Sequence, residues 1–253
     1  MSEWSWAPDD FAALWFNEAR DRFPRPLHFT SRFRYREEFE AHRAAICSRY
    51  ASEETRAIEL ALGTLEKSEI RIEVSAETGL LDPSDRVLHK IVGVRDIEHA
   101  VIAAQSISNE IAGPVWVRQG RPDYLGNGIT SRIPECAPGT LRGEEFYQRD
   151  TKLERDSYFS DVAYNSPRER YARLVNRPLV GMGSAVIRIG GLHSRSEPVR
   201  IMEWLDFADD GRYDRRIVGD VVRIFPVRRA GIAAELTQWL VKELHNTYRS
   251  QSR

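Results

Sequence analysis

The hydrophobic positions of this chain change period along its length, and each change marks an element. Pro8 at a first helical position, with Asp9 and Asp10 in the first turn, opens a helix whose apolar face is Phe11, Leu14 and Trp15. Trp6 and Phe11 are spaced as a hydrophobic staple, and Pro24 and Pro26 stop the helix. Tyr35, Phe39, His42 and Ile46 share one face of a second helix. Ala57, Ile58, Ala61, Leu62 and Leu65 form the face of a third, with Ser52 as its cap. From Glu69 to Ser75 the period drops to two: Ile70, Ile72 and Val74 alternate with Arg71 and Glu73, the pattern of a half-buried antiparallel strand. Val87–Val94 and Ala100–Ile107 predict further strands, and Pro114–Arg118 a short fourth.

Between Arg121 and Tyr164 the periodicity fails among prolines, glycines and charges, which predicts a linker between two halves or a partly disordered loop. Order resumes at Ser166-Pro167-Arg168-Glu169, a capping box with proline at the first helical position, followed by Tyr171 and Leu174 on the helix. Gly181 and Gly183 lead into a strand carrying Ala185, Ile187 and Ile189, and Gly190-Gly191 turns it. Val199, Ile201, Leu205 and Phe207 fall on one face of the next strand. Asp210-Gly211 then predicts a type I′ hairpin turn with positive φ at both residues. Arg212–Arg216 returns, Gly219-Asp220 turns again, and Val221–Phe225 is a strand ended by Pro226. Ile232, Leu236, Trp239, Leu240 and Leu244 make the stripe of a closing helix.

Runs of helices followed by runs of adjacent strands, without βαβ alternation, predict an α+β fold with a central antiparallel sheet. The two stretches 1–120 and 165–253 share the order helix, then strands, within a single domain spanning 1–253. At 42% hydrophobic and 30% charged, with 37 basic against 38 acidic residues, the chain reads as an ordinary globular protein without pull towards nucleic acid or anionic membrane. No apolar run approaches the ~20 residues of a membrane span. The N-terminus lacks the basic and apolar regions of a signal peptide, so a cytoplasmic location is expected. Cys47 and Cys136 have no metal spacing and are expected as free thiols.

The candidate chemistry is thin. None of the six histidines stands in a two-ligand motif; His89 and His99 flank a hairpin and could face each other across it. Gly181-Met182-Gly183-Ser184 is the nearest approach to a nucleophile elbow, but the chain continues as a strand. The acidic pairs are adjacent in sequence and diverge on helices. Arginines 20, 22, 25, 32, 34 and 36 interleave with aromatics, but glutamates follow at once, so a solvated face over buried rings is expected. No catalytic residue, cofactor or metal is expected.

Trp204, Asp206, Asp210, Gly211, Arg212 and Tyr213, with Pro226 beyond them, make the order W-x-D, D-G-R-Y, strand-ending proline and closing helix. Together with P-D-D-F-x-x-L-W at Pro8–Trp15 and P-x-P-L at Pro24–Leu27, this resembles the EspG family of type VII (ESX) secretion chaperones. The resemblance implies two pseudo-twofold-related halves sharing a central sheet flanked by helical bundles. It also implies cytosolic binding of PE–PPE heterodimers, held soluble and delivered to the secretion machinery, with the matching residues serving as scaffold. Val115, Trp116 and Val117, with Trp239 on the last helix, are the expected partner contacts; core packing is the competing account for Trp116. A weak homodimer stays open, as does a small-ligand or enzymatic domain with a cavity on the sheet.

Overall fold

The computed structural model describes residues 2–151, 166–192 and 196–251. Strand β1 (Ser2–Trp6) leads into helices α1 (Pro8–Trp15), α2 (Arg36–Cys47) and α3 (Ser52–Lys67). Strands β2 (Ile70–Thr78), β3 (Val87–Arg95), β4 (Ala100–Ser108), β5 (Ile111–Ala112) and β6 (Val115–Gly120) follow. Next come α4 (Leu125–Thr130), β7 (Glu144–Tyr147), α5 (Gln148–Thr151) and α6 (Pro167–Val175). Strands β8 (Leu179–Ile189), β9 (Arg200–Phe207), β10 (Arg212–Val218) and β11 (Val221–Pro226) lead to the closing helix α7 (Arg229–Gln251).

One antiparallel sheet of eleven strands takes them all, in the order β1-β6-β4-β3-β2-β8-β9-β10-β11-β7 with β5 on β4. The order is symmetric about the β2–β8 junction. Outwards from it run β2, β3, β4 and β6 on one side and β8, β9, β10 and β11 on the other, each set followed by an edge strand from elsewhere in the chain. The fold is α+β, with helices on both faces of an antiparallel sheet.

The first face is covered by α4 and α7, whose Leu125, Ile129, Ile232 and Leu236 pack on Ile72, Val74, Ile187 and Trp204. On the second face α1 and α3 bring Phe11, Trp15, Leu62 and Leu65 over Val92, Val94, Val101 and Val117. At the far end of that face α6 sets Tyr171 and Leu174 over Phe207, Tyr213 and Ile224. Each helix cap excludes water from alternate strand residues, which is where most of the stabilisation arises.

Several expectations shift. β1 was not foreseen. Ser52 is the first residue of α3 rather than its cap, a place Ala51 takes. Gly181 and Gly183 lie inside β8, not before it. The 121–164 stretch contains α4 and β7, and its residues 152–164 lie outside the described ones. Gly126 hides α4 from sequence reading yet is required there: a Cβ on it would stand 2.4 Å from the Ala233 carbonyl oxygen, so only glycine lets α4 lie this close to α7. The Ala208–Gly211 loop is not type I′, because Asp210 does not adopt positive φ; Gly211 alone does, at 152°. Instead Asn109 and Glu110, at φ 49° and 63°, make the paired left-handed turn, between β4 and β5.

Candidate partner-binding groove

Between the α1–α3 cap and the α6 cap, no helix covers the middle of the second face on β2, β8 and β9. The register aligns side chains there in transverse rows. Leu88, Glu77, Met182 and Leu205 stand opposite one another from β3 to β9. The next row on this face is polar: Lys90, Ser75, Ser184, Glu203 and Arg215. Beyond it lie Glu73, Val186 and Ile201. Met182 is 43% exposed and Ile201 55%, high values for apolar residues in the middle of a sheet. Val199, Ile201, Leu205 and Phe207 thus share the second face, where α6 covers Phe207 and leaves Val199 and Ile201 exposed; Met202, Trp204 and Asp206 point to the other face and are buried. With Tyr171 and Val175 of α6 as one wall, the first two rows form a groove of about 440 Å³, and Val186 and Ile201 lie on the open face beyond its lining. A second cleft, of about 400 Å³, sits at the strand ends between α3 and α7 and is rimmed by charges of both signs, Glu59, Lys67, Glu69, Arg95 and Asp96.

The charges of the groove and of the face beyond it are already engaged within the chain. Arg71 donates to Glu73 at 2.6 Å and to the carbonyls of Gly190 and Gly191 at 2.6 and 2.8 Å. Arg188 donates to Glu73 at 3.1 Å and to the Ser196 carbonyl, closing that end of the strip with the β8–β9 connection. Lys90 donates to Ser75 at 3.2 Å, and Arg215 pairs with Glu203. Burial would lower the Arg215 pKa, but hydrogen bonds with Tyr171 and Glu203 outweigh it and raise it, so this guanidinium stays charged. What the strip offers a partner is therefore apolar side chains between self-paired polar groups. That composition suits reversible protein association.

Family comparison decides what kind of chain this is. The model of the EspG family matches residues 7–238. The chain belongs to the EspG family. Its fold is similar to that of the Mycobacterium tuberculosis type VII secretion system chaperone EspG5, solved in complex with a PE25-PPE41 dimer. The match has a TM-score of 0.56 at 12% identity and covers 92% of this chain and 94% of that one. Comparison with curated proteins gives no match.

The C-terminal residues that carry the EspG resemblance form a hub of two polar networks, Arg212 with Asp206 on the first face of the sheet and Asp210 with Tyr213 on the second. Arg212 holds Asp206 through two hydrogen bonds of 2.7 Å and donates to the Pro134 carbonyl at 2.9 Å. Its guanidinium lies over the Trp204 ring, 5.7 Å from the centroid. Asp210 accepts from Thr140 through its N–H at 2.7 Å and its hydroxyl at 2.8 Å, and from the Tyr213 hydroxyl. Arg177 adds a contact at 3.4 Å. Burial alone would raise the Asp210 pKa, but these donors outweigh it and hold the carboxyl at about 2. The hub fastens the 134–141 segment and the end of α6 to the β9–β10 hairpin.

The four expected contacts sit in the core instead. Val115 and Val117 are fully buried beneath the α1–α3 cap. Trp116, 9% exposed, faces α4; its indole donates to Glu3 at 2.8 Å and carries Arg132 over its ring at 3.4 Å. Trp239, 5% exposed, donates to Glu235. Strand alternation placed Val115, Trp116 and Val117 on the sheet but could not say that helices cover both faces at β6, and Trp239 lies on the core side of α7. The groove residues were missed for the converse reason. Their signal was the apolar content of both faces of β8 and β9.

The remaining candidates are dispersed. His89 lies between the hydroxyls of Thr78 and Ser106, each at 3.2 Å, and burial lowers its pKa. His99 is in the turn with Asp96, not opposite His89, whose register partner is Ser106. His193 lies outside the described residues. Ser184 pairs with Ser75 within the sheet, far from any elbow geometry. Among the described residues no group of three His, Cys, Asp or Glu side chains could hold a metal, and no helix is long and apolar enough to cross a membrane. Arg20, from the basic run, is buried against Trp15 and pairs with Glu59 at 2.9 Å. Cys47 and Cys136 are free thiols.

Proposed function

We propose that this EspG-family protein is a cytoplasmic chaperone that binds PE–PPE-like helical heterodimers and delivers them to a type VII secretion system. It acts by binding, without catalysis. The observation that carries this reading is the family match along residues 7–238. The fold shared with a chaperone solved on a PE–PPE dimer supports it. The cargo's apolar tip would sit in the groove, against Met182 and Leu205, with α6 as a side wall, and would extend over Val186 and Ile201 on the open face beyond it.

Such a contact need not be large. Sheltering one Ile side chain from water is worth about 1.5–3 kcal/mol, or roughly 10- to 100-fold in affinity. The test is co-expression with each PE–PPE-like pair of the same genome, followed by affinity capture and size exclusion. A stoichiometric complex with one pair, weakened roughly 10-fold or more by Ile201→Glu, is expected. Ile201 is exposed in the free protein, so that variant keeps the fold. If every pair elutes apart from the folded protein, the chaperone reading fails. If capture is indifferent to Ile201→Glu and Met182→Glu together, the groove is not the site.

A further inference from the structure

A small cavity of about 200 Å³ opens on the first face of the sheet, beside α4 and on the opposite side from the groove. The register lays its floor in two transverse rows. Ile91, Ala104 and Trp116 stand opposite one another from β3 to β6, and His89 with Ser106 makes the next row. Arg132, just past α4, stands over the Trp116 end. Its guanidinium lies 3.4 Å from the indole centroid, a cation–π contact that fixes its place. Among the described residues the Arg132 side chain makes no hydrogen bond, and the nearest carboxylate is that of Glu3, at 3.9 Å. Glu3 in turn accepts from the Trp116 indole at 2.8 Å and lies 3.8 Å from Arg118. Burial lowers the Arg132 pKa, Glu3 raises it and Arg118 lowers it again, the marks of a partly desolvated cation short of counter-charge.

A guanidinium offers its N–H groups as a fork, which a carboxylate fills with two charge-assisted bonds. Two arginines against one glutamate leave one positive charge to satisfy. A dianion would be repelled by Glu3 and by the carbonyl end of α4, so a monoanion is the better fit. Away from Arg132 the lining is apolar, through Ile91, Ala104 and Pro114. The far row is neutral: burial lowers the His89 pKa, and its ring lies between the Thr78 and Ser106 hydroxyls. Pockets for drug-sized molecules run to about 300–1,000 Å³, so this one takes something smaller. The geometry points to a binding site for a small monocarboxylate, its carboxylate on Arg132 and its short apolar body over Ile91 and Ala104. That carboxylate belongs either to a free small acid or to the C-terminus of a peptide.

Butyrate is the probe, titrated at constant ionic strength and followed through the Arg132 Nε–H and Trp116 Nε1–H signals in nitrogen–proton NMR spectra. Saturable shifts of both are expected. Butyramide, its neutral isostere, should bind at least roughly 10-fold more weakly, and inorganic phosphate no better than butyrate. Arg132→Gln, followed at Trp116, should weaken butyrate at least roughly 10-fold; Arg132→Lys keeps the charge without the fork and should restore only part. The Arg132 side chain is 37% exposed, so both variants should melt close to wild type. A Gly-Gly-Val peptide separates the two sources. Tighter binding than butyrate, lost on amidating its C-terminus, assigns the site to a chain end; weaker binding assigns it to a free acid. No saturable shift with butyrate or peptide, equal binding of butyramide, tighter binding of phosphate, or an Arg132→Gln protein that binds like wild type would overturn the inference. The groove lies on the other face, so Arg132→Gln should leave cargo capture intact, and the carboxylate site and the chaperone reading stand or fall separately.

Discussion

Replacing Arg212 by alanine is the sharpest probe of how the signature residues hold the fold together. In the native protein the side chains of Arg212 and Asp206 are 1% and 5% exposed. Removing the guanidinium strands a buried carboxylate whose two 2.7 Å donors are gone. Breaking one partner of a buried pair costs about 3–5 kcal/mol, because the remaining charge is desolvated without compensation. The Pro134 carbonyl also loses its donor, at about 1–3 kcal/mol if no water replaces it. For a chain of this length each kcal/mol moves Tm by about 2–4 °C, so Arg212→Ala, losing about 3–8 kcal/mol, should melt roughly 6–32 °C below wild type.

The control is the double variant Arg212→Met, Asp206→Leu. It removes both charges, keeps volume near Trp204, and orphans only the Pro134 carbonyl, so its loss should be about 1–3 kcal/mol. Urea denaturation followed by tryptophan fluorescence and circular dichroism would give both values. Hydrogen exchange adds a local readout, since the Gly139 and Arg212 amides bond across the same seam, to the Arg212 and Ala137 carbonyls at 3.0 and 2.7 Å. Those amides should lose protection before the β2–β8 centre does. A single variant that loses less than about 1 kcal/mol, or a double variant at least as unstable as the single one, would refute the account.

Three further outcomes follow from the same structure. Gly126→Ala should destabilise by about 1–3 kcal/mol in thermal melts, because overpacking against the Ala233 backbone exceeds the ~1 kcal/mol that alanine gains in helix propensity; a stabilised variant would contradict the α4–α7 approach. Asp210→Asn should remove about 1–2 kcal/mol at neutral pH, allowing for solvent screening; as the native carboxyl titrates at about 2 against an ordinary 3.8, that contribution is full above about pH 4 and is lost as pH falls through about 2. Acid denaturation curves of wild type and variant should therefore converge at the acid end. Burial and the nearby Asp206 carboxylate raise the Cys136 thiol pKa, while Cys47 is exposed, so iodoacetamide at pH 8 should label Cys47 first by peptide mapping.

Much of the architecture was legible because local signals agreed with the tertiary outcome. The Ser166–Glu169 capping box, the alternation at Ile70–Val74, the Gly219 turn and the Ile232–Leu240 stripe each have one physical reading, and the fold uses it. α4 was illegible for a reason that resides elsewhere in the chain. Its glycines weaken helix propensity, and only tertiary neighbours explain them: α7, a hundred residues later, at Gly126, and Ile102 with Tyr124 at Gly128. β1 is likewise a tertiary product: its ladder partner β6 lies more than a hundred positions away, and five alternating residues alone do not hold a strand.

The groove was hidden by a different ambiguity. Apolar residues on β8 and β9 occur on both faces, so periodicity assigns them to strands without saying which set meets a helix. The structure answers that Met202 and Trp204 do and Met182 and Ile201 do not. An antiparallel sheet tolerates a solvated face when that face is polar, as the Lys90 to Arg215 row is. Exposed Met182 and Ile201 on either side of that row contribute nothing to the folded monomer that polar residues would not. On the chaperone reading a bound partner would cover them, which is why the capture experiment at Ile201 tests the function and not merely the fold.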